Sequence, residues 1–220
     1  MRTNKMRTNK MRTNQMNKMK IIGLAGGSGS GKGEVCRIFA AYGAASIDTD
    51  KISRETARKG SKCLEELTRY FSADILDKDG GLDRRKLADI AFASKEKLGI
   101  LNDITHKYIL EECRDRIAGM EREGKSAVII DAPLLFESGF NRECDIIISV
   151  IADKDIRVER IIKRDNLSFE QALRRIASQK DDDFLIRHSD YIIYNNGAVA
   201  ELERQAADIY ANMQARAAIN

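Results

Sequence analysis

The segment Ile21-Ile22-Gly23-Leu24-Ala25-Gly26-Gly27-Ser28-Gly29-Ser30-Gly31-Lys32 restricts the architectures open to this chain more than any other. A short apolar run feeds a glycine-rich loop that closes on Gly-Lys, and Gly26 and Gly31-Lys32 match the spacing G-x-x-x-x-G-K of a phosphate-binding loop. The chemistry resides in the backbone. Glycines let successive N–H groups turn inward without Cβ clashes and form an anion nest. A following helix points its positive end at the same anion, and Lys32 is then placed to reach the β- and γ-phosphates. Such a loop needs a buried strand before it and a helix after it. The residue after the lysine is usually Ser or Thr, whose hydroxyl holds Mg²⁺; here it is Gly33, followed by Glu34.

Beyond Lys20 the pattern alternates strand and helix. Residues 21–25, 44–48, 127–131, 145–151 and 191–194 read as short strands. Helices are expected over 32–42, 51–71 (broken near Gly60-Ser61, with Ser61 able to cap the second piece), 83–92, 95–123, 154–165, 168–179 and 199–218. Asp83 and Ser94 serve as further caps, and Gly80-Gly81 marks a turn. Strands that are apolar on both faces and separated by helices imply a parallel sheet covered on both sides, an α/β fold with ligands at the carboxyl ends of the strands. The helices between Asp50 and Ser126 exceed what one crossover needs, so part of them, about 51–105, is expected to be an inserted substrate domain. The helical pair at about 154–180 is expected to be a lid.

Composition removes other classes. With 220 residues and 43% hydrophobic content, the chain can build one large core. The net charge of +4 is concentrated in residues 1–20, which hold seven basic residues and no acidic one; the remainder has 31 basic against 34 acidic residues. A mildly acidic body argues against a general nucleic-acid binder. No apolar run is long enough to span a membrane, and none resembles a secretory leader. Cys36, Cys63, Cys113 and Cys144 are isolated, as suits a reducing cytoplasm, and with only His106 and His188 no zinc-ligand spacing exists. Residues 1–19 form an almost threefold five-residue repeat, polar and basic, expected to be a disordered leader; Met16 or Met19 as the true start and a basic interaction tail are its two readings.

Three sites fall at expected strand ends: the phosphate loop, Asp48-Thr49-Asp50, and Asp131-Ala132-Pro133. In extended geometry residues i and i+2 share a face, so Asp48 and Asp50 both face the loop. One can orient a substrate hydroxyl or accept its proton, and the other can bind Mg²⁺ through water; a helix N-cap is the alternative. Asp131 stands where such proteins often hold a metal-binding Asp, with a turn residue before Pro133 as the alternative. Arg157, Arg160 and Arg164 fall on one helix face, with Arg174 and Arg175 on the next helix. They are either phosphate clamps on a mobile element or a solvated face paired with Glu159 and Asp165. His106 lies among apolar helix residues, packed or in contact with substrate.

The blocks GLAGGSGSGK, SIDTDKISRE, LDRRKLADIAF, LNDITHKYI, DAPLLFESG, RVERIIKRDNLSFEQALRRIASQ and SDYIIYNNG occur in an order that resembles the dephospho-coenzyme A kinase family over nearly everything after Lys20. That resemblance implies a P-loop kinase fold, a three-layer α/β/α core with a helical CoA-binding insertion and a helical lid. The implied activity is ATP-dependent phosphorylation of the ribose 3′-hydroxyl of dephospho-CoA, the last step of CoA synthesis, with Mg²⁺. Asp50 is then the catalytic carboxylate, assisted by Lys32, Arg160 and Arg164. Gly26, Gly27, Ser28, Gly29, Ser30, Gly31, Lys32, Gly33, Glu34, Arg175 and Asn195 hold the nucleotide. Asp48, Arg54 and His106 face the acceptor, and Asp131 holds the metal through water. The family usually has Ser or Thr at Gly33, Pro at Lys107, Gln at Arg157 and Lys near Leu185. These departures keep two alternatives: a divergent nucleotide or small-molecule kinase, and a nucleotide-binding regulator without turnover. Oligomeric state is left open.

Overall fold

A computed structural model describes residues 19–219, with side chains through Met213; the repeat assigned to the leader lies, apart from Met19, outside the described residues. Met19 itself is buried against the sheet. Strand β1 (Lys20–Ala25) leads through the glycine loop into α1 (Lys32–Ala41), and β2 (Ala45–Asp48) follows. Four helices come next: α2 (Thr49–Thr56), α3 (Lys62–Phe71), α4 (Arg84–Ala91) and the long α5 (Lys95–Arg122). Then come β3 (Ala127–Asp131), β4 (Ile146–Ile151), α6 (Lys154–Asp165), α7 (Phe169–Ala177), α8 (Asp182–Arg187), β5 (Tyr191–Tyr194) and α9 (Val199–Ile219).

The five strands form one parallel sheet in the order β2-β3-β1-β4-β5. Side chains alternate between its faces with the strand period of two. Ile22, Leu24, Ile129, Ile148 and Val150 pack with α1 and α9 through Val35, Phe39, Leu202 and Ile209. Val128, Ile130, Ile47 and Ile151 face the opposite way, toward Ile52, Cys113 and Ile117 of α2 and α5. The result is the expected three-layer α/β/α arrangement.

Capping side chains fix where the helices begin. Ser61, Asp83 and Ser94 accept hydrogen bonds from the first-turn amides of α3, α4 and α5, as their positions in the sequence imply. Ser168 and Gln171 form a reciprocal capping box on α7. Helices α3, α4 and the first half of α5 have their own apolar cluster, which includes Leu67, Phe71, Leu87 and Ile104. The α6–α7 pair has another, of Val158, Ile161 and Ala172.

Candidate active site

Three connections leave the carboxyl ends of β1, β2 and β3 side by side, because the sheet order places β1 next to β3 and β3 next to β2. The loop after β1 takes its shape from glycine. Gly31 is left-handed, at φ +98°, and opens α1 without a side-chain cap. Among the described residues no protein acceptor is found for the N–H groups of Gly29, Gly31, Lys32 and Gly33. These are the donors that a phosphate group satisfies. The Lys32 ammonium donates to Gly26 O at 2.9 Å. Gly33 is exposed, and a Cβ added there would meet nothing within 4 Å. Glu34 is ion-paired with Arg37 one turn along α1.

Two polar atoms beside the loop have no protein partner although they are buried: Ser30 Oγ and Asp131 Oδ1. Burial pushes the Lys32 pKa down, with Asp131 the largest opposing charge. It also pushes the Asp131 pKa up, with Lys32 opposing and Asp48 and Asp50 adding to the rise. Desolvation therefore outweighs attraction at both ends of this pair. A polyanion at the loop favours the charged form of the lysine, and a hydrated cation at Asp131 favours the ionised form of the carboxylate. The orphaned carboxylate oxygen fits a hydrated Mg²⁺. Gly33 supplies no hydroxyl for direct ligation, and no cluster of three metal-ligating side chains occurs among the described residues.

Asp48 and Asp50 do not share an extended segment. Asp48 ends β2 and caps α2, accepting from Lys51 N at 3.1 Å, while Asp50 lies in the first turn of α2. A strand ending in a strong N-cap passes straight into helix, so the two carboxylates have different backbone settings, and of the two only Asp50 lines the neighbouring cavity. Thr49 ties this corner to β3, its hydroxyl donating to Asp131 O at 3.1 Å.

The arginines of α6 separate into different environments. Arg157 is only 5% exposed and donates to Ser28 O at 3.0 Å. Arg160 donates to Gly29 O at 3.2 Å and to Asn195 Oδ1 at 3.4 Å. Arg164 reaches Ser28 Oγ at 3.4 Å but is chiefly paired with Asp165, which also takes Arg175. This pairing, led by Arg164, holds the half-buried Asp165 carboxyl down at about 2. Asn195, directly after β5, donates to Ser30 O at 2.8 Å and lies against the loop.

A cavity of about 300 Å³ opens between α2, α4, α5 and the loop after β3. Asp50, Arg84, Asn102 and His106 give it polar points; Leu67, Leu87, Phe92 and Ile109 give it apolar walls. Burial lowers the His106 pKa, against a smaller upward pull from Asp103 and Glu137. Arg54 is exposed on α2 and is not among the cavity's lining residues. Arg84 is, and it donates to Ser53 O at 3.3 Å. Sequence reasoning did not single out Arg84 or Asn102, nor Gln179, whose side chain accepts from Ser28 N at 2.8 Å. Their only signal was membership of motif blocks.

Comparisons with known proteins bear on the family and the fold. A family model described as dephospho-CoA kinase matches residues 20–201. A Corynebacterium glutamicum dephospho-CoA kinase is 38% identical over 195 residues, covering 89% of this chain and 98% of its own. The solved dephospho-CoA kinase of Campylobacter jejuni superposes with a TM-score of 0.66 at 27% identity, covering 89% of this chain and 98% of that one. A shikimate kinase from Acinetobacter baumannii shares the fold alone, with a TM-score of 0.53 at 18% identity over 91% of this chain and 96% of its own. A nucleotide-binding loop at the centre of a parallel sheet, a largely apolar cavity beside it that carries Asp50, and a match across most of the chain thus place this protein in the dephospho-CoA kinase family of P-loop kinases.

Proposed function

We propose that the protein transfers the γ-phosphoryl group of ATP to the ribose 3′-hydroxyl of dephospho-CoA, completing coenzyme A. The observation that carries this reading is the cavity lined by Asp50, a carboxylate close enough to act on Lys32 of the phosphate loop, with polar points and apolar walls suited to an acceptor that has both a nucleoside and a long, weakly polar arm. The helices of about 51–105 form the acceptor-binding region, and the pair at about 154–180 is the lid.

Phosphoryl transfer asks a protein mainly to position the reactants and neutralise charge. Lys32 and the unpartnered loop amides bind the β- and γ-phosphates. Asp50 accepts a hydrogen bond from the 3′-hydroxyl, aligns its oxygen with the γ-phosphorus and takes the proton as the new ester forms. Arg160 turns from the Gly29 carbonyl, and Arg164 from the Ser28 hydroxyl and Asp165, to the transferring group, and closure of the lid excludes water. Arg175 and Asn195 complete the nucleotide side; on the acceptor side His106 lines the cavity, whereas Asp48 caps its helix and Arg54 lies outside the lining. Asp131 would hold a hydrated Mg²⁺ through water, and the ion would supply neutralisation of phosphate charge. No helix among the described residues is long and apolar enough to cross a membrane; the proposed site of action is the cytoplasm, whose reducing conditions suit the four free cysteines. Measuring ADP release with Mg-ATP and dephospho-CoA against nucleoside, sugar and shikimate acceptors tests this. Transfer to dephospho-CoA above the others is expected, and turnover with another acceptor alone refutes it.

A further inference from the structure

We propose that Arg157 and Gln179 form a brace that holds the first half of the phosphate loop in its nucleotide-binding shape, so that both are positioning residues for ATP; this rests on the ATP site assigned above. Both backbone groups of Ser28 are held by side chains from beyond β4. Its N–H donates to Gln179 Oε1 at 2.8 Å, and its carbonyl accepts from Arg157 Nε at 3.0 Å. The two bracing side chains also meet, with Arg157 Nη2 donating to Gln179 Oε1 at 3.3 Å and Nη1 reaching Asp182 at 3.4 Å. One peptide segment of the loop is thus gripped from two sides by partners that touch each other.

Arg157 differs from its neighbours on α6. Arg164 is exposed and Arg160 is half-buried, whereas Arg157 has almost no surface left. It cannot turn to a phosphate without abandoning the loop. Its influence on ATP therefore passes through the loop backbone. Gly27 records the same contact: a Cβ there would lie 2.0 Å from Arg157 Nη2 and 2.6 Å from Cζ. Glycine at position 27 thus makes room for a guanidinium. The amides of Gly29, Gly31, Lys32 and Gly33, which have no protein acceptor, are held converging before the nucleotide arrives, so binding need not order them.

The test is steady-state kinetics with both substrates, together with calorimetric ATP binding, on the full-length protein and on Arg157→Ala, Gln179→Ala, the double variant and Gly27→Ala. Loss of one or two hydrogen bonds at the loop should raise Kd and KM for ATP about ten-fold in Arg157→Ala, and by a smaller factor in Gln179→Ala. KM for dephospho-CoA should stay unchanged. Because the pair acts as a unit, the double variant should be no worse than Arg157→Ala alone. Gly27→Ala should weaken ATP in the parent and add nothing in the Arg157→Ala background. The brace is refuted if Arg157→Ala only lowers the melting temperature, if both KM values rise together, or if the single effects multiply. Should Arg157→Ala fail to fold, Gln179→Ala decides alone through the same split between substrates. A parent protein that binds no ATP refutes the site assignment itself.

Discussion

Gly31 and Gly33 stand two residues apart at the start of α1, and replacing each by alanine should move stability in opposite directions. At Gly31, φ is +98°, and a Cβ would fall 2.0 Å from Asn195 Nδ2. Holding an L-residue in left-handed backbone costs about 1–2 kcal/mol. Pushing Asn195 aside also breaks its buried 2.8 Å hydrogen bond to Ser30 O, worth about 1 kcal/mol. The sum, about 2–3 kcal/mol, corresponds in a domain of this size to a melting temperature about 4–12 °C lower. At Gly33 the backbone is helical and the space around a new Cβ is open. Alanine there gains roughly half of the ~1 kcal/mol propensity difference, since the site is in the first turn, and should melt about 1–2 °C higher. Thermal unfolding followed by far-ultraviolet circular dichroism, without nucleotide so that ligand binding does not shift the transition, reads both. If the two variants shift alike, or Gly31→Ala is neutral, the loop does not have the shape described.

Asp50→Asn should cut turnover by about 10²–10⁴-fold while ATP binding by calorimetry survives; if Asp48→Asn loses turnover instead, the wrong carboxylate has been assigned. Arg160→Ala and Arg164→Ala should lower kcat more than they weaken ATP binding, as expected of groups that act on the transition state, and weaker binding with unchanged kcat would contradict that role. Asp165, held down at about 2 by Arg164 and Arg175, contributes stability that is fully present above its unfolded value of about 3.9 and is lost as pH falls through about 2. The difference in melting temperature between the parent and Asp165→Asn should therefore narrow from pH 4 downward, and a gap that persists at pH 1.5 would count against the pairing. Burial raises the thiols of Cys36 and Cys144 to about 12 and those of Cys63 and Cys113 to about 11. All four should react with an aromatic disulfide reagent at pH 8 far more slowly in the native than in the urea-unfolded protein; equal rates would show that the thiols are not protected.

The elements that show in the sequence are those whose physics is local. The phosphate loop is a matter of glycine spacing, and the strands are short apolar runs between breakers. The starts of α3, α4 and α5 follow from Ser61, Asp83 and Ser94, each able to cap only the helix directly after it. Helix α8 was missed because six residues hold less than two turns of periodicity, although Asp181 caps it through Phe184 N. Asp50 was misread as extended because the chain passes from β2 into α2 with no intervening loop. The burial of Arg157 was not visible at all: its spacing matches that of Arg160 and Arg164, and only the approach of α6 to Gly27 distinguishes it. The strand order, which gathers the three loops, depends on contacts more than a hundred residues apart in sequence.

The small apolar cluster between α6 and α7 has a consequence for how the molecule opens. Only Val158, Ile161 and Ala172 are fully enclosed there, joined by a few partly covered neighbours such as Leu167 and Ile176, and the cluster is separate from those on the two faces of the sheet. Peeling α7 from α6 thus exposes far less apolar surface than global unfolding and leaves the sheet intact. Backbone amides of α7 should exchange with deuterium through a local event of low free energy, while those of β1 and β4 wait for the whole domain to unfold. The enzyme in this view is two cooperative units of unequal strength, and the weaker one carries Arg175 and ends two residues before Gln179.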